Sequence, residues 1–286
     1  MAIESAMRPI RCHRQRAAQH GVTLIELIIV IAITAIIASG VAVFISRPME
    51  SYVDSARRAE LTDIADTALR RMTRDLRTAL PNSIRITQVG SAYYLEYLQT
   101  SGGGRYRADK DSGGNGDELL FSSNDTSFDV VGPMPPLAAG DSIVIYNLAN
   151  SGAIANAYSG DNRRAYSSSL GNNITITSAT PFPYPSPGKR FHVVQYAVTY
   201  ECNPTTHELR RYWNYGIAAV QATPPVTANT ALLANNIATT NGCSFIYDTS
   251  GSTLRTGVVG LAIRIEHSGS GEAVQLFQQA HVNNVP

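Results

Sequence analysis

Between Leu27 and Ser46 the chain runs for twenty residues without a formal charge. As an α-helix rising about 1.5 Å per residue, such a run matches the ~30 Å hydrocarbon core of a bilayer. The pattern predicts a membrane-spanning helix, and one carboxylate, Glu26, stands at its mouth. A charge at the bilayer centre costs roughly 2.5–3.5 kcal/mol and less near an end, so Glu26 calls for a partner. Past Arg47 and Pro48 the pattern changes to a stripe. Val53, Ala56, Leu61, Ile64, Ala65, Ala68, Leu69, Met72, Leu76 and Leu80 recur mostly at spacings of three or four, the signature of an amphipathic helix. Arginines and six acids between Glu50 and Asp75 fill the other faces and nearly balance, which reads as a solvated surface rather than a binding face. Together the two patterns predict one helix from Val22 to Leu80, ended by Pro81, with Gly40 and Pro48 as its bends.

Beyond Pro81 the period shortens to two. Ser83–Val89 and Tyr93–Leu98 read as strands around a turn at Gly90-Ser91. Further strands are expected at 118–122, 127–131, 142–148, 173–178, 191–202, 208–213, 244–248, 258–267 and 273–282, with a hairpin turn at 203–207 and a short helix at Leu232–Ile237. Loops rich in Gly, Ser, Asn and Pro are expected at 100–117, 149–171, 179–189 and 214–231, and Pro181, Pro183, Pro185 and Pro187 suggest a stiff extended connection. The fold class is α+β: a long N-terminal helix on a mainly antiparallel β domain. The expected organisation is a basic leader (1–21), a transmembrane helix (22–46), its amphipathic continuation (47–80) and an extracytoplasmic β-rich domain (81–286).

Charge then sets the orientation. The net charge of +1 conceals +3 in residues 1–21, from Arg8, Arg11, Arg14 and Arg16 against Glu4, and −2 in the rest. A basic excess beside a membrane span places the N-terminus in the cytoplasm and the domain outside, and it offers no nucleic-acid surface. Of three cysteines, Cys12 lies in the leader. Cys202 and Cys243 are the candidate disulfide in an oxidising compartment, two free buried thiols being the other reading.

The sequence carries no nucleophile elbow, P-loop, dinucleotide fingerprint or metal-ligand histidine spacing, and His192, His207, His267 and His281 read as ordinary strand or turn residues. Catalysis and a bound cofactor are not expected. Asp109, Asp111, Asn115 and Asp117 partly match a calcium loop, but Gly113 occupies the fifth position and Leu120 stands where a bidentate Glu is required. A solvated acidic loop is the favoured reading there. An ordinary secretory signal is a rival account of the N-terminus, with Ala38-Ser39-Gly40 as its cleavage site and Val41 as the new N-terminus. Glu26 inside the apolar segment and the length of the uncharged run argue against it.

The stretch Gly21-Val22-Thr23-Leu24-Ile25-Glu26-Leu27, after a basic leader and before the apolar span, resembles the N-terminus of type IV prepilins and type II secretion pseudopilins. The resemblance implies cleavage by prepilin peptidase between Gly21 and Val22 and N-methylation of Val22. It also implies subunit assembly through Thr23, Leu24 and Glu26, the Glu26 carboxylate meeting a neighbouring subunit's N-terminal amine. The large exported portion and the stretches 72–85, 103–107 and 281–286 resemble minor-pilin-like proteins of MSHA pilus biogenesis. Implied partners are the major pilin, other minor pilins and an inner-membrane assembly platform. The implied location is the inner membrane and then the pilus. A type II secretion pseudopilin that binds secreted proteins is the alternative, and a signal-anchored periplasmic binding domain a third. Many pilins carry a proline within the membrane helix; here the first after Gly21 is Pro48, beyond the span.

Overall fold

The computed structural model describes residues 21–152, 154–177, 180–248 and 256–286. The basic leader lies outside the described residues apart from Gly21. The chain divides into two compact units, one ending at Ser55 and the other spanning Ala56–Pro286. Helix α1, Leu24–Leu76, belongs to both.

In the first unit α1 carries no charged residue on any side from Leu27 to Ser46. Its segment Leu24–Ile45 has a mean hydropathy of 2.9 and no buried residue. A span in hydrocarbon must satisfy its own polar groups. The Thr34 hydroxyl accordingly donates to the Val30 carbonyl at 2.7 Å and the Ser39 hydroxyl to the Ile36 carbonyl at 2.8 Å. The helix continues through Gly40 and Pro48. Pro48 lacks the N–H that would close one turn, so the helix forgoes a single hydrogen bond there.

In the second unit α1 buries the expected stripe. Leu61, Ala65, Ala68, Leu69, Met72 and Leu76 are all within 3% of full burial, whereas Val53 of the first unit and Ala56 stay exposed. The helix ends at Leu76 rather than Leu80. Arg77, Thr78 and Ala79 turn their N–H groups to carbonyls three residues back, and Leu80 then donates to Leu98 at 2.8 Å. The last carbonyls of a helix need such partners.

Among the described residues twelve strands follow. These are β1 (Arg85–Val89), β2 (Ala92–Arg105), β3 (Ser127–Asp129), β4 (Ser142–Ile145), β5 (Arg163–Leu170) and β6 (Asn173–Ile176). After them come β7 (Arg190–Asn203), β8 (Glu208–Tyr215), β9 (Asn229–Asn235), β10 (Cys243–Asp248), β11 (Thr256–Glu266) and β12 (Ala273–Asn283). The larger sheet runs β1-β2-β7-β4-β5-β6-β3, with β8 on β7 and β9 on β8, and the smaller runs β10-β11-β12. Every strand pairing among the described residues is antiparallel, as the alternation predicts. Both sheets face the buried stripe of α1: Tyr97, Val198, Tyr200 and Leu209 from one, Val259, Leu261, Ile263 and Ala280 from the other. The Cys202–Cys243 disulfide joins β7 to β10 at a Cα separation of 6.0 Å.

Four expectations are corrected. Leu232–Ile237 is not helical; most of it lies in β9, paired from Glu208↔Asn235 to Trp213↔Asn229. Helix nucleation is unfavourable over so few residues, and a ready ladder wins. No strand forms at 118–122, where the Leu120 N–H is taken by the Asp125 carboxylate and the Leu119 N–H by the Arg107 carbonyl. Strand β2 runs on through the expected loop at 100–105 because glycine there serves packing: a Cβ on Gly103 would lie 2.6 Å from the Phe191 carbonyl, and one on Gly104 2.9 Å from its ring. Strand β5 forms inside the expected loop 149–171. Its serine-rich outer half has no apolar alternation, and its one buried guanidinium, Arg164, reaches the carbonyls of Thr180 and Pro181.

Candidate functional site

The site suggested by the sequence lies at the start of α1. Gly21, Val22 and Thr23 have no regular structure and the helix begins at Leu24. Thr23 is its N-cap: the Thr23 carbonyl accepts from the Leu27 N–H at 3.1 Å, and the Thr23 hydroxyl accepts from the Glu26 N–H at 3.3 Å. Glu26 is therefore the third helical residue, where a carboxylate meets the positive end of the helix dipole. A Thr three residues before a Glu, ahead of an apolar run, is a capping-box spacing. That spacing is legible in the sequence, although the hydrophobic pattern alone does not reveal it.

All five residues, Gly21, Val22, Thr23, Leu24 and Glu26, are exposed. Among the described residues the Glu26 carboxylate has no cationic partner. An N-terminal amine generated at Val22 would lie one residue from the cap. The arrangement thus leaves the Gly21–Val22 peptide bond outside regular structure and the Glu26 side chain exposed.

The calcium candidates do not converge. Asp109 pairs with Lys189 at 3.2 Å, and Asp111 accepts from the backbone N–H groups of Gly113 and Asn115 at 2.9 and 2.8 Å. Asp117 accepts from the Ser127 hydroxyl and the Asn173 amide. The Asp111 oxygens serve the loop's own N–H groups and those of Asp109 and Asp117 are taken by donors from other parts of the domain, and the described residues hold no group of three or more His, Cys, Asp or Glu able to hold a metal.

Several buried ionisable groups of the second unit are bound to one another. Asp75 on α1 accepts from the Tyr200 hydroxyl at 2.7 Å and from the Arg211 guanidinium at 3.0 Å. Glu201 accepts from Tyr94 and Tyr212 at 3.0 and 2.7 Å, and burial together with that bond pushes the Tyr94 hydroxyl up to about 12. Burial raises the Glu96 carboxyl above its ordinary range, and Arg85 at 2.8 Å opposes it. The Asp75 contacts tie α1 to the larger sheet, while the Glu201 and Glu96 contacts join strands within that sheet. A cleft of about 590 Å³ between Asn82, Tyr146, Leu148, Arg190 and Asn284 holds no acid–base pair.

His207 and His267 sit in turns, bonded to the Ile237 carbonyl and the Ser270 hydroxyl, and His281 is exposed on β12. His192 differs: its Nε2 is sealed from solvent without a hydrogen-bond partner, and burial, then Arg190, pushes its pKa down to about 4. Because the folded value is depressed, the unfolded chain binds the proton first as pH falls below about 6.5. Stability is then lost progressively toward pH 4, by about 2 kcal/mol at pH 5. His192→Gln is expected to remove most of that pH 7 to pH 5 difference in urea midpoints, followed by fluorescence of the single tryptophan, Trp213. An unchanged difference would assign the acid sensitivity elsewhere.

A family model described as the prokaryotic N-terminal methylation motif matches residues 16–42. The chain has no match among curated proteins or solved structures. The match supports a type IV prepilin-like protein, a prepilin-peptidase substrate of the pilin or pseudopilin type. The apolar helix and this motif fit a membrane-anchored protein.

Proposed function

We propose that this protein is a minor pilin of an MSHA-type type IV pilus. It is inserted in the inner membrane with its N-terminus cytoplasmic, cleaved between Gly21 and Val22, N-methylated on Val22, and built into the filament through Thr23, Leu24 and Glu26. The observation that carries this reading is the start of α1: an unstructured Gly21–Val22 bond, a Thr23 cap, a Glu26 carboxylate without a partner among the described residues, and an exposed apolar helix of 22 residues. A subunit in this state is incomplete, since both the helix surface and the carboxylate await neighbours. The large β domain and the stretches 72–85, 103–107 and 281–286, which resemble MshO, support a role in pilus initiation or at the tip, in contact with the major pilin and other minor pilins. The same start would serve a type II secretion pseudopilin; loss of piliation with secretion intact on deletion supports the pilus.

Processing tests the proposal directly. Mass spectrometry of the N-terminal peptide from the mature protein is expected to find N-methylated Val22. An N-terminus at Val41 would instead identify signal peptidase and remove the assembly role.

A further inference from the structure

The smaller sheet ends on β12, and β12 is an open edge. Eleven consecutive residue pairs, Thr256↔Asn283 to Glu266↔Ala273, tie it to β11 without a bulge. In an antiparallel ladder every second residue turns its N–H and C=O away from the partner strand. Among the described residues no strand pairs on that side, and no backbone hydrogen bond reaches 273–283 from another element.

Proteins guard such edges with charge, proline, bulges or short strands. The other edges here are guarded. β1 is five residues long and carries Arg85, β3 is three residues long and carries Asp129, β10 is six residues long and carries Asp248, and the β8–β9 ladder of seven-residue β9 has a register shift at Leu209/Arg210. β12 has none of these devices: it is 11 residues long, contains no proline, and lies in a stretch, 273–286, without Asp, Glu, Lys or Arg.

The adjoining sheet face continues the same chemistry. Phe277 and Ile246 are each 61% exposed, and they flank Gly260, where an added Cβ would lie 3.5 Å from the Phe277 ring and 3.9 Å from Ile246. Gln275, Gln279 and His281 prolong the exposed row along β12. An apolar strip, Ile246–Gly260–Phe277, therefore runs from β10 to the free edge, and the charges on this face, Arg264 and Glu266 of β11 and Asp248 of β10, lie on the inner strands rather than on β12.

This edge selects its occupant. A strand bringing Lys or Asp to the seam would lose hydration and find no counter-charge on β12, which is unfavourable. An uncharged strand of similar length meets no such penalty, and β12 itself is one. Antiparallel addition about a two-fold axis would match outward N–H to outward C=O on both copies and place glutamine amides and Phe277 rings across the seam.

We propose that β12 is a self-association edge, to which a second copy of this chain adds its own β12 antiparallel, forming a continuous six-stranded sheet. This goes beyond the pilin reading and does not depend on Gly21 or Glu26. The test uses the full chain in detergent micelles with Cys12→Ser, Cys202 and Cys243 being already bonded to each other. Single cysteines are introduced as Gln275→Cys, Phe277→Cys, Gln279→Cys and His281→Cys, with Val89→Cys at the exposed end of β1 as control. Mild oxidation is expected to give a covalent dimer at one β12 position, nearest the two-fold axis, with yields falling to either side and Val89→Cys remaining monomeric. Adding a lysine to the edge, as Gln279→Lys in the best cross-linking variant or Phe277→Lys if position 279 holds the cysteine, is expected to lower the yield at least tenfold. Trp213 fluorescence checks that the fold is retained. Absence of dimer at all four positions overturns the proposal. So does equal cross-linking at Val89, which would show contact through the membrane helix, or a yield insensitive to the lysine.

Discussion

Glu26→Ala is expected to leave membrane insertion and cleavage after Gly21 intact and to abolish entry into filaments. Insertion survives because the change removes a charge from the mouth of a segment that already has a mean hydropathy of 2.9 over 22 residues. The helix survives as well: the Thr23 cap uses the Glu26 backbone N–H, which alanine retains, and the loss of dipole complementarity is only about 0.3–1 kcal/mol. What disappears is the attraction to a neighbouring amine, on the order of 4 kcal/mol for unit charges 4 Å apart at an effective dielectric constant near 20. That corresponds to roughly three powers of ten in an equilibrium constant for each contact. Glu26→Gln separates charge from shape, since it preserves size and one acceptor oxygen while removing the charge, and it should fail in the same way. The measurement is the fraction of Val22-processed subunit that co-sediments with sheared pili. Normal incorporation of either variant would sink the assembly role.

The second large effect is expected from the disulfide. The Cys202→Ala/Cys243→Ala double variant should lose about 4 kcal/mol of stability, the chain-entropy value for a loop closed over a separation of 41 residues. Alanine is chosen because Cys202 is fully buried and Cys243 is 7% exposed, so serine would add buried hydroxyls. The bond links β7 to β10, the sheets that enclose Leu61, Leu69 and Met72 of α1. Its loss should therefore loosen the helix from the smaller sheet before it affects the distant core around Phe128 and Phe191. Urea unfolding read at Trp213, with hydrogen exchange resolved by peptide, tests both statements. A loss below about 1 kcal/mol would mean that the core alone holds the two sheets together.

Much of this architecture was legible along the chain. The apolar run, Glu26 at its mouth, and the stripe Leu61-Ala65-Ala68-Leu69-Met72-Leu76 are local patterns, with periods set by the helix itself. Most strands followed from alternation, and the cysteine pair followed from topology. The misses share a cause. β5 is polar on much of both faces, β9 reads locally as a helix former, and the glycines of β2 read as a loop. Each becomes a strand only through its neighbours.

The sequence by itself determined the long apolar segment, the N-terminal methylation motif and the face of α1 that is buried, because these depend on residues within a few turns of one another. Tertiary structure alone decided that Asp75 meets Arg211 and Tyr200, residues 136 and 125 positions away. It also left β12 without a neighbour on one side among the described residues. Hydrogen-bond partners across a sheet are chosen by the closure of long loops and by competition among strands, and neither leaves a local period to be read.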